Sequence, residues 1–161
     1  MQGDKKVVAA LNALLTGELT AIDQYFVHAE MYKDWGFGQL YAKTWHEMGE
    51  EREHASRLIA RILFLGGTPD VAARGKLRIG TKPRTMMEHD LALEYEVVQA
   101  LREAIALCET AQDYVSRELL EVLLDDTEED HARWLEQQLQ LIRLVGEENY
   151  LQSQMGEGSP S

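Results

Sequence analysis

Only three prolines interrupt this chain, Pro69, Pro83 and Pro160, and none falls inside a long apolar period. Proline breaks or kinks a helix interior, so the stretches between these points are free to be long helices. Their apolar residues recur every three or four positions, which is the helical period. Asp4 suits the N-cap of a first helix with the stripe Leu11, Leu15, Glu18, Ile22, Tyr25 and Ala29. Trp35-Gly36-Phe37-Gly38 ends it. A second helix carries Thr44, Met48, Glu51, Ala55, Leu58, Ile62 and Leu65, and stops at Gly66-Gly67-Thr68-Pro69.

From Gly67 to Lys82 no period survives, and the stretch reads as a long crossover. Pro83 suits the first turn of a third helix, which repeats Met87, Leu91, Glu94, Val98, Leu101, Ile105 and Cys108. After a break between Thr110 and Asp113, a fourth helix carries Leu120, Leu124, Glu128, His131, Leu135, Leu139 and Ile142 up to Gly146. Glu147 to Gln152 suits a short fifth helix, and residues 156–161 read as a disordered tail. No strand pattern competes. The fold class is therefore all-α: two helical hairpins joined by a long crossover, forming a four-helix bundle whose second and third helices run parallel.

Composition narrows the function classes. The chain of 161 residues is 45% hydrophobic and 27% charged, a globular balance, with a net charge of −12. That acidity excludes the basic stripe expected of a nucleic-acid binder and favours cations. No apolar run approaches the roughly 18 residues that a membrane span requires. Met1 to Ala10 lacks a signal-peptide core, and the single cysteine, Cys108, suits a reducing cytoplasm, which is the expected location.

Four glutamates, Glu18, Glu51, Glu94 and Glu128, sit on stripes that should be buried. Glu51 and Glu128 are each followed three residues later by a histidine, His54 and His131, and residues three apart share a face of an α-helix. Their depth agrees as well. Glu18 lies 18 residues before Gly36, with Glu51 and His54 15 and 18 after it; Glu94 lies 18 before Gln112, with Glu128 and His131 16 and 19 after it. At about 1.5 Å per residue, all six stand roughly 22–29 Å from their own turn, near mid-bundle.

The plan Glu, then Glu-x-x-His, thus occurs twice, at offsets of 33 and 34, and implies a nearly two-fold site. A π-bulge before Glu128 would absorb the extra residue. Glutamate fills 19 of 161 positions, so two Glu-x-x-His pairs alone are weak evidence. Two pairs at equal depth, each opposite a lone stripe glutamate, are much harder to obtain as solvated charge. Four buried carboxylates need cations, and no Lys or Arg falls beside them on the stripes. Oxygen ligands with one imidazole per metal suit iron or manganese, so the reading is a dinuclear metal centre for redox chemistry with oxygen.

With these residues the chain resembles the ferritin-like di-iron proteins. More narrowly, it is similar to the bacterioferritins and haem-free bacterial ferritins. Leu14-Leu15-Thr16-Gly17-Glu18-Leu19, Gln24-Tyr25-Phe26, Arg61-Ile62-Leu63-Phe64-Leu65, Asp90-Leu91-Ala92-Leu93-Glu94, Asp113-Tyr114-Val115-Ser116-Arg117 and Asn149-Tyr150-Leu151-Gln152 carry the likeness. The resemblance implies one ferritin-like di-iron domain over residues 1–155, and a ferroxidase that oxidises ferrous iron with oxygen or hydrogen peroxide. It also implies ferric mineral stored in a homo-oligomeric cage of about 24 subunits. Glu18, Glu51, His54, Glu94, Glu128 and His131 would be the ligands, with Glu51 and Glu128 bridging.

The family's haem ligand is a methionine just after the first motif's glutamate. Arg52 stands there, so the resemblance does not extend to haem binding by a shell of this chain alone. A mixed shell with a haem-binding paralogue is one alternative. A small di-iron or di-manganese peroxidase or catalase on the same bundle is the other. The resemblance also points to an inner-surface iron site at His46 and Glu50, which with Glu47 and Glu53 read equally as a solvated acidic face. Tyr25 is expected beside the centre, and Asp90 is expected to orient a ligand histidine from one layer out. Met31, Met48, Met86, Met87 and Cys108 read as packing residues, as do Trp35, Trp45 and Trp134; His28 and His89 suggest no partner.

Overall fold

The computed structural model describes residues 1–158. Helix α1 spans Lys5–Asp34, α2 Gly38–Phe64, α3 Pro83–Thr110, α4 Tyr114–Asp126, α5 Arg133–Val145 and α6 Glu147–Ser153. Between α4 and α5 a π-helical segment, Thr127–Ala132, carries the chain on without a break in helical backbone, so α4, this segment and α5 together form the bundle's fourth helix. There is no strand among the described residues.

The ends follow from local chemistry. Asp4 caps α1, its Oδ1 accepting from the backbone N–H groups of Lys6 at 2.7 Å and Val7 at 3.2 Å. Gly36 turns the chain at φ +84°, a left-handed conformation that favours glycine. Asp113 caps α4 through Ser116 N–H at 3.0 Å and is also gripped by the Arg61 guanidinium of α2 at 3.0 Å. The residues after α6 do not stray. Gln39 N–H donates to the Gln154 carbonyl, Gln39 Nε2 donates to the Glu157 carbonyl, and Gly156 pairs with Phe37. A Cβ at Gly38 would sit 1.7 Å from the Gly156 carbonyl oxygen, so only glycine admits this close approach. The tail therefore docks on the start of α2 through Gly158, where disorder from 156 onward is expected; 159–161 lie outside the described residues.

Residues 65–82 have no regular structure because α1 supplies their hydrogen bonds. Asn12 bonds the backbone at Thr68 and Asp70. Thr20 accepts from Gly75 N–H, Gln24 from Arg78 N–H and His28 from Gly80 N–H. These contacts climb α1 in order, so the crossover runs alongside it and delivers α3 parallel to α2 and antiparallel to α1.

Two apolar clusters fill the ends of the bundle. One gathers Leu11, Leu15, Leu58, Ile62, Leu101, Cys108, Leu120 and Leu123; the other gathers Tyr32, Leu40, Met86, Met87, Leu135 and Tyr150. Full burial of each aliphatic side chain contributes about 1.5–3 kcal/mol, and these ends hold a polar layer clamped between them. Met48 packs with Ala21, Tyr25 and Leu93 beside that layer. No helix among the described residues is long and apolar enough to cross a membrane.

Candidate metal centre

Five of the six expected ligands meet in the middle of the bundle. Glu18 comes from α1, Glu51 and His54 from α2, Glu94 from α3 and His131 from the π segment, each at most 2% exposed. Glu51 is common to two groups whose ligand atoms lie within 4.8 Å of one another: Glu18, Glu51 and His54, and Glu51, Glu94 and His131. Its Oε1 lies 2.5 Å from His131 Nδ1 and 3.9 Å from His54 Nδ1. The two imidazoles stack with centroids 5.7 Å apart.

Neither carboxyl oxygen of Glu18 or Glu51 has a hydrogen-bond partner among the described residues, nor has Glu94 Oε2 or Nδ1 of either histidine. Buried polar atoms normally find partners. Of the ten such buried side-chain atoms among the described residues, these seven lie on the five converging residues and are of the kinds that ligate metals; the other three are the two carboxyl oxygens of Glu47 and Arg117 Nε.

The outward nitrogens are occupied. His54 Nε2–H donates to Asp126 Oδ2 at 3.1 Å, and His131 Nε2–H to Glu50 Oε2 at 2.7 Å, with Glu47 Oε2 also at 2.7 Å. A histidine that donates one N–H to a carboxylate presents the other nitrogen's lone pair, the usual arrangement behind a metal-bound imidazole. Glu50 also contacts His46 Nε2 at 2.5 Å, so His46, Glu50 and His131 form a chain from the surface to the centre. Glu47, expected on a solvated face, is only 6% exposed and pairs with Lys43. Sequence reasoning missed Asp126 and the buried Glu47, because each serves a histidine on a different helix.

Electrostatics mark the same spot. Burial, together with the charges of Glu51 and Glu94, pushes the Glu18 carboxyl well up. Burial and Glu51 push Glu94 up to about 7. Glu51 is buried too, but the neighbouring Glu18 carboxyl and the imidazoles of His131 and His54 bring it down to about 2. His131, despite the opposing effect of burial, is raised by Glu47, Glu50, Glu51 and Glu94. Tyr25 donates a short hydrogen bond to Glu94, and its phenol is pushed well up, mainly by burial. Buried carboxylates clustered in this way call for positive charge.

Glu128 is the exception. Its side chain is 37% exposed and bonds Arg102 of α3 at 2.6 Å, the cation that the stripe pattern overlooks. The cause is the π segment. An i→i+5 turn takes more than four residues, so Glu128 sits farther round the helix from His131 than three residues of α-helix would put it, at the edge of the centre. Asp90 also departs from its expected role. It accepts from Gln24 Nε2 and from His28 Nδ1, both at 2.8 Å, and so anchors the crossover through His28 instead of a ligand histidine. His28 thereby gains two partners, and His89 one, the Arg78 carbonyl. Arg52 is exposed on α2.

A long-crossover four-helix bundle with carboxylates and two histidines facing across its middle is a protein of the ferritin-like class. The model of the ferritin-like domain family matches residues 8–145. The chain belongs to the ferritin family. It is 56% identical over 155 residues to bacterial ferritin from Neisseria meningitidis serogroup A, covering 96% of this chain and 100% of that one. It is equally identical, over the same shares, to bacterial ferritin from Pseudomonas aeruginosa. Bacterioferritin of Mycobacterium tuberculosis is 47% identical over 93% of this chain and 94% of that one.

Proposed function

We propose that this chain is an iron-storage subunit with ferroxidase activity, acting at an intra-subunit dinuclear centre and working as part of an oligomeric cage in the cytoplasm. The observation that carries the reading is the set of orphaned, inward-facing ligand atoms on Glu18, Glu51, Glu94, His54 and His131.

Two ferrous ions, as substrate, would bind with Glu18 and His54 on one side and Glu94 and His131 on the other. Glu51 lies between them and Glu128 is the sixth ligand. Hard anionic oxygens favour the ferric state. Each iron gives up one electron; the pair reduces dioxygen, with two protons, to hydrogen peroxide, or reduces peroxide, with two protons, to two waters. Tyr25 holds Glu94 in place, while Asp126 and Glu50 orient the imidazoles. Ferric product then passes to the cavity, and the His46–Glu50–His131 chain offers an acidic route between centre and surface. Arg52 provides no ligand to haem iron, so haem would enter only with a second subunit type.

The test is aerobic oxidation by the metal-free assembly, with ferrous iron added at two per subunit and then in large excess. A fast phase saturating near two per subunit, followed by slower uptake retained in a large soluble particle, is the expected result. A fast phase without retained mineral supports a small di-iron oxidase or peroxidase instead, and no fast phase overturns the ferroxidase assignment.

A further inference from the structure

The geometry points to Arg102 as a positioning residue that holds Glu128 outside the centre, making the sixth ligand a carboxylate that swings between an arginine and the metals. The inference rests on the dinuclear reading above.

Three observations lead to it. Glu128 Oε1 accepts from Arg102 Nη2 at 2.6 Å, with both side chains substantially exposed. Its counterpart in the first half, Glu51, is 1% exposed and has no such partner. And Glu128 stands on the π segment, whose first residue, Thr127, is buried and donates its hydroxyl to the Leu123 carbonyl at 2.7 Å. The π segment carries His131 inward, at 2% exposure, and leaves Glu128 at its edge.

Charge supplies the two positions. Without cations, a fourth buried carboxylate beside Glu18, Glu51 and Glu94 meets only like charge, and desolvation makes that unfavourable. At Arg102, two helical turns beyond Glu94 on α3, the same carboxylate stays hydrated and paired. Two divalent cations in the centre reverse the preference, and the carboxylate turns inward. An exposed ion pair is weak, so Arg102 biases this equilibrium without locking it. Metal binding must break the pair, and metal release restores it.

The prediction is a tighter site when the arginine is removed. Cobalt(II) serves as probe, titrated into metal-free protein and followed by its visible d–d absorption, a readout independent of iron oxidation. Arg102→Gln is expected to bind cobalt about two- to five-fold more tightly than wild type, in line with the weakness of exposed pairs. Arg102→Lys, which keeps the charge, should stay near the wild-type affinity. Glu128→Gln should bind about tenfold or more weakly, and adding Arg102→Gln to it should change nothing, because the two residues act as a unit. Equal affinity in wild type and Arg102→Gln overturns the proposal, as does an Arg102 effect that persists in the Glu128→Gln background. Glu94→Ala separates this from the underlying reading: if that variant binds cobalt as wild type does, the dinuclear centre itself is misplaced.

Discussion

The two halves of the bundle carry the same plan but execute it differently. In α1 and α2, regular α-helix throughout, Glu18, Glu51 and His54 all point inward and are essentially fully buried. In the second half, Glu94 and His131 do so, whereas Glu128 faces solvent and Arg102. The one extra residue explains the asymmetry. It is taken up as a π segment at Thr127–Ala132, which keeps His131 aimed at the centre at the expense of Glu128.

The outer carboxylates register the same extra residue. Each histidine is held by an acid from the opposite half: His131 by Glu50, four residues before His54, and His54 by Asp126, five residues before His131. The halves are therefore interlocked, each orienting the other's imidazole.

The largest expected effect comes from removing the residue the two halves share. Glu51→Ala should lose both cobalt ions and slow the fast phase of iron oxidation by about 100-fold or more, with the assembly intact by size-exclusion chromatography. Loss of only one ion would mean that Glu51 belongs to a single half. Next come the crossed partners. Asp126→Ala and Glu50→Ala should each weaken binding of one ion by about 10–100-fold, the first at the His54 side and the second at the His131 side. Competitive titration of the two-ion cobalt spectrum reads this; equal weakening of both ions by either variant would contradict the interlocked arrangement.

A smaller difference lies at the turns. No side chain caps α2, whereas α4 has Asp113, whose carboxyl is lowered despite partial burial by hydrogen bonds from Ser116 and Arg61. Asp113→Ala should cost about 1 kcal/mol of stability, measured by thermal or chemical unfolding of the metal-free protein. Because the folded value lies below the ordinary one of about 3.9, this contribution is fully present above that pH and fades as pH falls through the folded value. The variant and wild type should therefore converge in strong acid; a constant difference down to the lowest pH would assign the effect to helix propensity alone.

Much of this was legible in the chain itself. Apolar periodicity gave the helices, because packing a bundle demands it, and equal depth from the turns brought five ligands together. The offset of 34 pointed to a π-bulge before Glu128, but the π segment, Thr127–Ala132, contains Glu128 itself, and there the rule that residues three apart share a face no longer holds. Asp126 and Glu47 escaped because their partners lie on other helices, which no local spacing records. The crossover showed no period since its hydrogen bonds are made by Asn12, Thr20, Gln24 and His28 of α1. Asp90, one turn before Glu94, looked like an outer support of the centre and instead secures that crossover.

Both halves should contribute to one metal centre around Glu51. Anomalous diffraction from crystals of the cobalt-loaded protein tests it most directly. Two ions are expected within each subunit, one bound by Glu18 and His54, the other by Glu94 and His131, with Glu51 touching both and Glu128 turned from Arg102 to join them. Ions found only at His46 and Glu50, or two ions with Glu128 still on Arg102, would contradict it.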